Sequence, residues 1–290
     1  MQSFEKQGKG GRPMLVNATF IRELARRFQE DEIPRLSAEL AYYFLLSLFP
    51  FLLFLMTLLA YLPIPHEDVL ALVRQYAPKE ALRLIETNVH RLMDEQNGGL
   101  LSFSIIAAVW SASNGMSAIM RAFNRAYDVQ EDRPFWVVRG LSIVLTLGMI
   151  AVIIVALVLP VFGRMIGLFL FSALGLSRPF LDVWNTLRWV TSSLLLFAVF
   201  TALYYFAPNK RLRCVNVVRG AVFATAGWIA TSSAFSYYVN NFANYTAMYG
   251  SLGGMIVLMV WFYLSGMILI LGGELNALFD CEREGRKRVR

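Results

Sequence analysis

The sequence predicts an all-α, polytopic membrane protein: six transmembrane helices, an N-terminal amphipathic helix, and short helices in the first external loop. Three observations lead there. Of 290 residues, 57% are hydrophobic and only 16% charged, against about 25% charged in an average globular domain. The charges are segregated, and the uncharged runs between them are long enough to cross a hydrocarbon core about 30 Å thick at about 1.5 Å of helix rise per residue. Lysine and arginine then crowd alternate gaps between those runs. Helices of a soluble core would instead each keep a polar face.

Residues 1–13 are Gly- and Lys-rich, and are expected to be disordered. Residues 14–32 have the spacing of an amphipathic helix, with Leu15, Ile21, Leu24, Ala25 and Phe28 on one side and Arg22, Glu23, Arg26 and Arg27 mostly on the other. Such a helix either lies in the headgroup layer or packs on the ends of the bundle. Together, residues 1–36 make a cytoplasmic segment. The first span is expected at about 40–62, after Ser37 as N-cap. Pro50 inside it should kink the helix near Leu46–Ser47, because proline removes a donor and crowds the preceding turn. An external loop comes next at 63–98, with six acids, four basic residues and both histidines. Two short helices split by Pro78 are expected there.

The second span, about 99–120, carries an unusually polar middle, Trp110-Ser111-Ala112-Ser113-Asn114-Gly115-Met116-Ser117. The third, about 140–162, is followed by an apolar piece, 165–176, too short to cross and read as interfacial or re-entrant. The fourth covers about 187–207 and stops before Pro208. The fifth, about 220–240, has a small-residue stripe at Ala226, Ala230 and Ala234. The sixth, 251–273, is 23 residues without a charge; Glu274 comes directly after it. Residues 37–277 thus form the membrane domain, and 278–290 a basic tail.

Charge sets the orientation. The N-terminal segment, 121–139, 209–219 and the tail hold 20 of the 27 lysines and arginines, and the remaining seven lie in the other gaps or, for Arg188, at the edge of the fourth span. By the positive-inside rule the first set is cytoplasmic, and so are both termini. The net charge of +7 is therefore read as span-flanking charge rather than a nucleic-acid face, which would need a basic surface with stacking aromatics. Cys214 and Cys281 both fall in basic cytoplasmic segments, where reduced, unpaired thiols are expected. His66 and His90 lie too far apart for a compact metal cluster. No apolar run comes after the basic N-terminus before about residue 40, so no cleavable signal peptide is expected. No internal repeat is legible.

Three stretches, Ala38–Pro50 (AELAYYFLLSLFP), Trp110–Trp136 (WSASNGMSAIMRAFNRAYDVQEDRPFW) and Tyr249–Ala277, are spread over about 240 residues. On them the chain resembles the YihY / virulence factor BrkB family of bacterial inner-membrane proteins. The resemblance implies six helices in the plasma membrane and no established activity; members once carried the label ribonuclease BN, since attached to an unrelated soluble enzyme. Links of some members to serum resistance or envelope lipid export make a transport role an expectation. It supplies no catalytic residues.

The residues themselves offer two constellations. Glu39, Arg121 and Glu274 end spans on the cytoplasmic side, and charges near hydrocarbon usually face inward and pair. Arg121 bridging one or both carboxylates would make an inner gate or ion-coupling site; the alternative is a hydrated or structural role in the headgroup zone. Ser111, Ser113, Asn114 and Ser117, with Ser236 and Tyr237, would line a path, and Asn114-Gly115 could break the helix as in discontinuous transporter helices. The alternative is interhelical glue, which would also account for Gly250, Gly254 and the alanine stripe.

P-loop, G-x-S-x-G and H-E-x-x-H motifs are missing, so no enzyme and no cofactor are expected. The leading function is a transporter-like or lipid-handling permease. A non-transporting scaffold and a membrane-bound hydrolase or nuclease are the alternatives. A cavity bordered by Asn114 and the serines would favour transport; buried paired carboxylates with an open metal position would favour the enzyme. Expected partners are membrane lipids and a lipid or small-solute substrate, with no nucleic acid; a homo-oligomer is compatible with the sequence.

Overall fold

A computed structural model describes residues 18–61, 97–151, 178–210, 212, 214–242 and 252–288. The short helices expected in 63–98, the piece 165–176, residues 1–17 and Gly250 fall outside these residues.

The described residues are helical, without strands. They form α1 (Ala18–Glu30), α2 (Ile33–Leu59), α3 (Gly98–Ala126), α4 (Phe135–Ala151), α5 (Arg178–Phe206), α6 (Cys214–Phe242) and α7 (Leu252–Arg288). Segments of α2, α3, α5 and α7 are each long and apolar enough to cross a membrane, and the described part of α4 is an apolar helix, the remainder of the expected third span lying outside the described residues. The expected fifth span lies in α6, which is 29 residues long. It is not among those four, its Ser, Thr and Asn residues interrupting the apolar run.

α2 begins at Ile33, earlier than expected. Glu32 takes a left-handed conformation, φ 52°, and Pro34 occupies the first turn, where a proline loses no helical bond. Ser37 is consequently not the N-cap. It lies fully buried one turn inside and donates to Ile33 O at 2.8 Å. Pro50 does not interrupt the helix, and Ser47 donates to Phe44 O at 2.8 Å. α7 also exceeds its expected span: the basic tail continues the same helix to Arg288.

α3 has a side-chain cap at its start. Asn97 Oδ1 accepts from Leu100 N at 2.9 Å, satisfying one of the orphan N–H groups of the first turn. Asn97→Ala should lower stability by about 1 kcal/mol, read as a small fall in thermal midpoint.

The buried residues gather at one end of the bundle. They come from the start of α2 (Ile33, Leu36, Leu40), the last turns of α3 (Ile119, Met120, Phe123), the end of α5 (Leu203, Tyr204), the start of α6 (Val217, Ala221) and the later part of α7 (Ile270, Ala277). Starts and ends meeting in one layer require neighbouring helices to alternate in direction. That layer is the end the charge pattern predicts to be cytoplasmic. Toward the other end large apolar side chains face outward, including Phe51, Leu52, Phe103, Ile106, Tyr237 and Leu252. A soluble protein does not leave patches of that extent uncovered; lipid covers them.

α6 and α7 approach most closely through glycines. A Cβ on Gly220 would collide with Gly272 O and the Asn276 side chain, and one on Gly272 with the Tyr204 hydroxyl. Gly220 N donates to Asn276 Oδ1 at 2.7 Å, and Tyr204 Oη donates to Leu269 O at 2.8 Å. Farther along, Trp228 and Trp261 rings meet at 5.9 Å, and each indole N–H reaches a serine on the opposite helix, Ser265 and Ser232.

Candidate functional site

Helix α1 lies across the buried end. Phe20 stacks on Phe279 of α7 at 5.5 Å, and Phe28 packs on the core. The expected polar face of α1 is therefore not uniformly outward. Arg27 turns in and donates through Nη1 to Glu274 Oε2 at 3.3 Å and to Ala126 O at 3.1 Å. Glu274 is 0% exposed, and the Asp31 carboxyl stands beside it as well as Arg27. An ionised carboxylate in such a place needs its counter-ion and close hydrogen bonds. Here the counter-ion comes from outside the membrane bundle.

A second layer of charge ties the α1–α2 turn to the end of α3. Arg125 reaches Asp31 at 3.7 Å and Glu32 at 3.2 Å, Arg35 closes on Glu32, and Arg125 Nη2 donates to Glu30 O at 2.8 Å. Arg35 and Arg125 hold the Glu32 carboxyl below its ordinary range. On the outer face of α1, Arg26 does the same for Glu23 from 2.5 Å.

The turn between α3 and α4 is docked by a third set. Glu131 accepts from Arg133 Nε and Nη2 at 2.6 Å each and from Asn124 Nδ2 at 2.8 Å. Asn124 Oδ1 accepts from Asn209 N at 2.6 Å, and Arg133 reaches Ala207 O. Chiefly through the Arg133 hydrogen bonds, the Glu131 carboxyl is held below the usual range. A carboxyl so depressed stabilises the fold above its unfolded pKa and loses that contribution as pH falls through the folded one. Glu131→Gln should thus cost no more than about 1 kcal/mol near neutrality. The difference in thermal midpoint between the two proteins should vanish in acid; a constant difference across the pH range would contradict the assignment.

The structure brings together part of the expected inner trio. Arg121 Nη2 meets Glu39 Oε1 at 2.5 Å, both side chains being partly exposed. Glu274 pairs with Arg27 rather than Arg121. The reason is azimuth: Glu274 faces into the core, whereas Arg121 is over half exposed. In the sequence, Arg27 is detectable only as a charge at the edge of the Phe20, Leu24, Phe28 stripe.

The polar strip of α3 is turned toward other helices. Ser113 is buried and donates to Trp110 O at 2.8 Å; Ser117 donates to Ser113 O at 3.0 Å and meets Ser142 of α4 at 2.8 Å. Ser111 is half-buried on the same helix. Gly115 sits against Phe44 and Tyr43 of α2, and α3 continues unbroken through Asn114-Gly115. Asn114 Oδ1 accepts from Arg139 Nη1 of α4 at 2.7 Å. The guanidinium also covers the Trp110 ring at 3.6 Å. The hydroxyls of Ser113 and Ser117 thus bond their own turns, and that of Ser117 also meets α4.

Ser236 and Tyr237 lie exposed near the far end of α6, as do Ala226, Ala230 and Ala234 on its outer face. The small residues that face the bundle from α6 are instead Gly220, Ala221 and Ala224. A Cβ on Gly254 would meet nothing within 4 Å, so Gly254 makes no close helix contact among the described residues. A groove of about 270 Å³ opens between α3 and α4, lined by Ile105, Ile106, Val109, Trp110, Ile143 and Leu147. It is apolar, and the serines do not border it. Among the described residues, no group of three or more His, Cys, Asp or Glu could hold a metal ion.

The family model described as Virulence factor BrkB matches residues 24–290. The chain is 58% identical over 260 residues, 90% of its length and 94% of the relative's, to a Bacillus subtilis protein provisionally named ribonuclease-like protein YfkH. It is 28% identical over 274 residues to a UPF0761 membrane protein of Alteromonas mediterranea, covering 90% and 88% of the two chains. A UPF0761 membrane protein of Vibrio vulnificus is 27% identical over 275 residues, covering 91% and 83%. No solved structure matches.

Proposed function

Because this chain belongs to the virulence factor BrkB family of membrane proteins, we propose that it is a transporter-like, lipid- or solute-handling permease of the bacterial plasma membrane, with both termini in the cytoplasm. The observation that carries this reading is the Arg27–Glu274 pair. A fully buried carboxylate of α7 is neutralised by a cation on α1, the helix that packs across this end of the bundle. Ionisable groups inside membrane domains usually mark pathways or gates, and a removable counter-ion gives this one two states. Arg121–Glu39, on the neighbouring helix ends, forms the outer ring of the same gate.

The test is flux of fluorescent lipids and small solutes across liposomes holding the purified protein. Glu274→Gln and Arg121→Ala should each change the rate several-fold while leaving the protein folded. Wild-type rates in both would remove the gate. One observation favours a second reading, a scaffold: the α3 hydroxyls are spent on helix carbonyls and on Ser142, so the described strip is already occupied. Absence of any flux with intact, folded protein is that reading's expected result. The ribonuclease-like name of the Bacillus relative is not carried over, and we read this chain as a non-enzyme.

A further inference from the structure

We propose that Arg139 and the α3–α4 groove form a binding site for one anionic membrane lipid, with its phosphate on the guanidinium and an acyl chain along the groove. The inference deepens the permease reading by naming its substrate class, and depends on that reading only for the steps after binding.

Among the described residues, Arg139 is a cation without a counter-ion. Arg27, Arg121, Arg125 and Arg133 each meet a carboxylate. Arg139 is held by neutral groups, Asn114 Oδ1 at 2.7 Å, Trp110 O at 3.3 Å and the Trp110 ring. Its Nε is buried and has no hydrogen-bond partner among the described residues, and an unsatisfied buried N–H is costly. Its Nη1 and Nη2 each carry a second N–H beyond the bonds to Asn114 and Trp110, and a pair of guanidinium donors suits a phosphate oxygen pair.

The direction of the side chain is equally informative. Arginine near a helix end usually reaches for the interface. Arg139 reaches the other way, to Trp110 and Asn114, which precede Arg121 by 11 and 7 residues and so lie about 10–16 Å farther from the charged end. The groove starts at that same Trp110 ring and continues away from the charged end along Ile105 and Ile106 of α3 and Ile143 and Leu147 of α4. Ile106 is 67% exposed on its rim. Lipids of the leaflet at the charged end point their chains in this direction. A free anion has no use for an apolar groove, and a zwitterionic lipid brings a competing cation beside its phosphate, whereas an anionic lipid satisfies both.

Native mass spectrometry of the full-length protein, with phosphatidylglycerol or phosphatidylcholine added to the micelles, tests this. Wild type should retain phosphatidylglycerol about tenfold better, the ratio one charge-assisted contact supports, and millimolar inorganic phosphate should not displace it. Arg139→Gln should abolish the preference. Ile106→Trp, which fills the groove and leaves the charge, should weaken retention of the anionic lipid as well, with thermal unfolding confirming that both variants fold. Equal retention of both lipids by wild type, an undiminished preference in Arg139→Gln, or displacement by phosphate would each overturn the site. Lipid bound at Arg139 without flux in liposomes would sink the permease reading and leave the site standing; flux without the preference would do the reverse.

Discussion

Gly220→Ala should prevent the buried end of the bundle from closing. The added Cβ would occupy the space of Gly272 O and of the Asn276 side chain, and a backbone carbonyl in a packed helix has nowhere to go. Overpacking typically costs about 1–3 kcal/mol when side chains can give way; where the obstacle is backbone, about 3 kcal/mol or more is expected. Separation of the helices would also stretch the Gly220 N–H to Asn276 Oδ1 bond, leaving a buried amide side chain with fewer partners. The expected result is loss of monodisperse protein in detergent, or a thermal midpoint many degrees lower. Gly254→Ala is the control, since its Cβ enters open space, and should melt with wild type. Matching midpoints for Gly220→Ala and Gly254→Ala would show that α6 and α7 do not approach as described.

Arg27→Met should be nearly as damaging, for a different reason. It strands the fully buried Glu274 carboxylate and removes a donor from Ala126 O. Removing one partner of a buried pair costs about 3–5 kcal/mol, because the other charge stays desolvated and unpaired. Replacing both partners, Arg27→Met with Glu274→Met, should recover most of that loss, since well-packed apolar side chains in place of a buried ion pair are often neutral or stabilising. Thermal unfolding of the four proteins of this cycle gives the coupling directly. Additive effects would mean that Arg27 and Glu274 do not meet. Arg121→Ala is the instructive comparison: its pair with Glu39 is partly exposed, and about 1 kcal/mol or less is expected.

These contrasts separate features legible along the chain from those that are not. Apolar run length and charge segregation are sums over neighbouring residues, so 251–273 and 99–120 are recognisable as crossings without knowledge of their neighbours. Alternation of basic gaps also anticipates that the start of α2 and the ends of α3 and α7 share a layer. Pairing is another matter. Depth alone assigns Glu274 to Arg121, because both end spans at one level, but depth leaves the rotation of each helix undetermined. The reading of Ser37 as a cap fails for a related reason, since Pro34 has already started the helix.

By itself the sequence determined the class of the protein, its membrane helices and which ends carry the charge, because transfer between water and hydrocarbon acts on each segment largely independently. Only the tertiary structure decided that Arg27 neutralises Glu274, that Arg139 extends toward Trp110 and Asn114, and that Gly220 rather than Ala226 faces the bundle. Those outcomes depend on the azimuth at which helices come into contact, and that angle is set by close packing between segments distant in the chain.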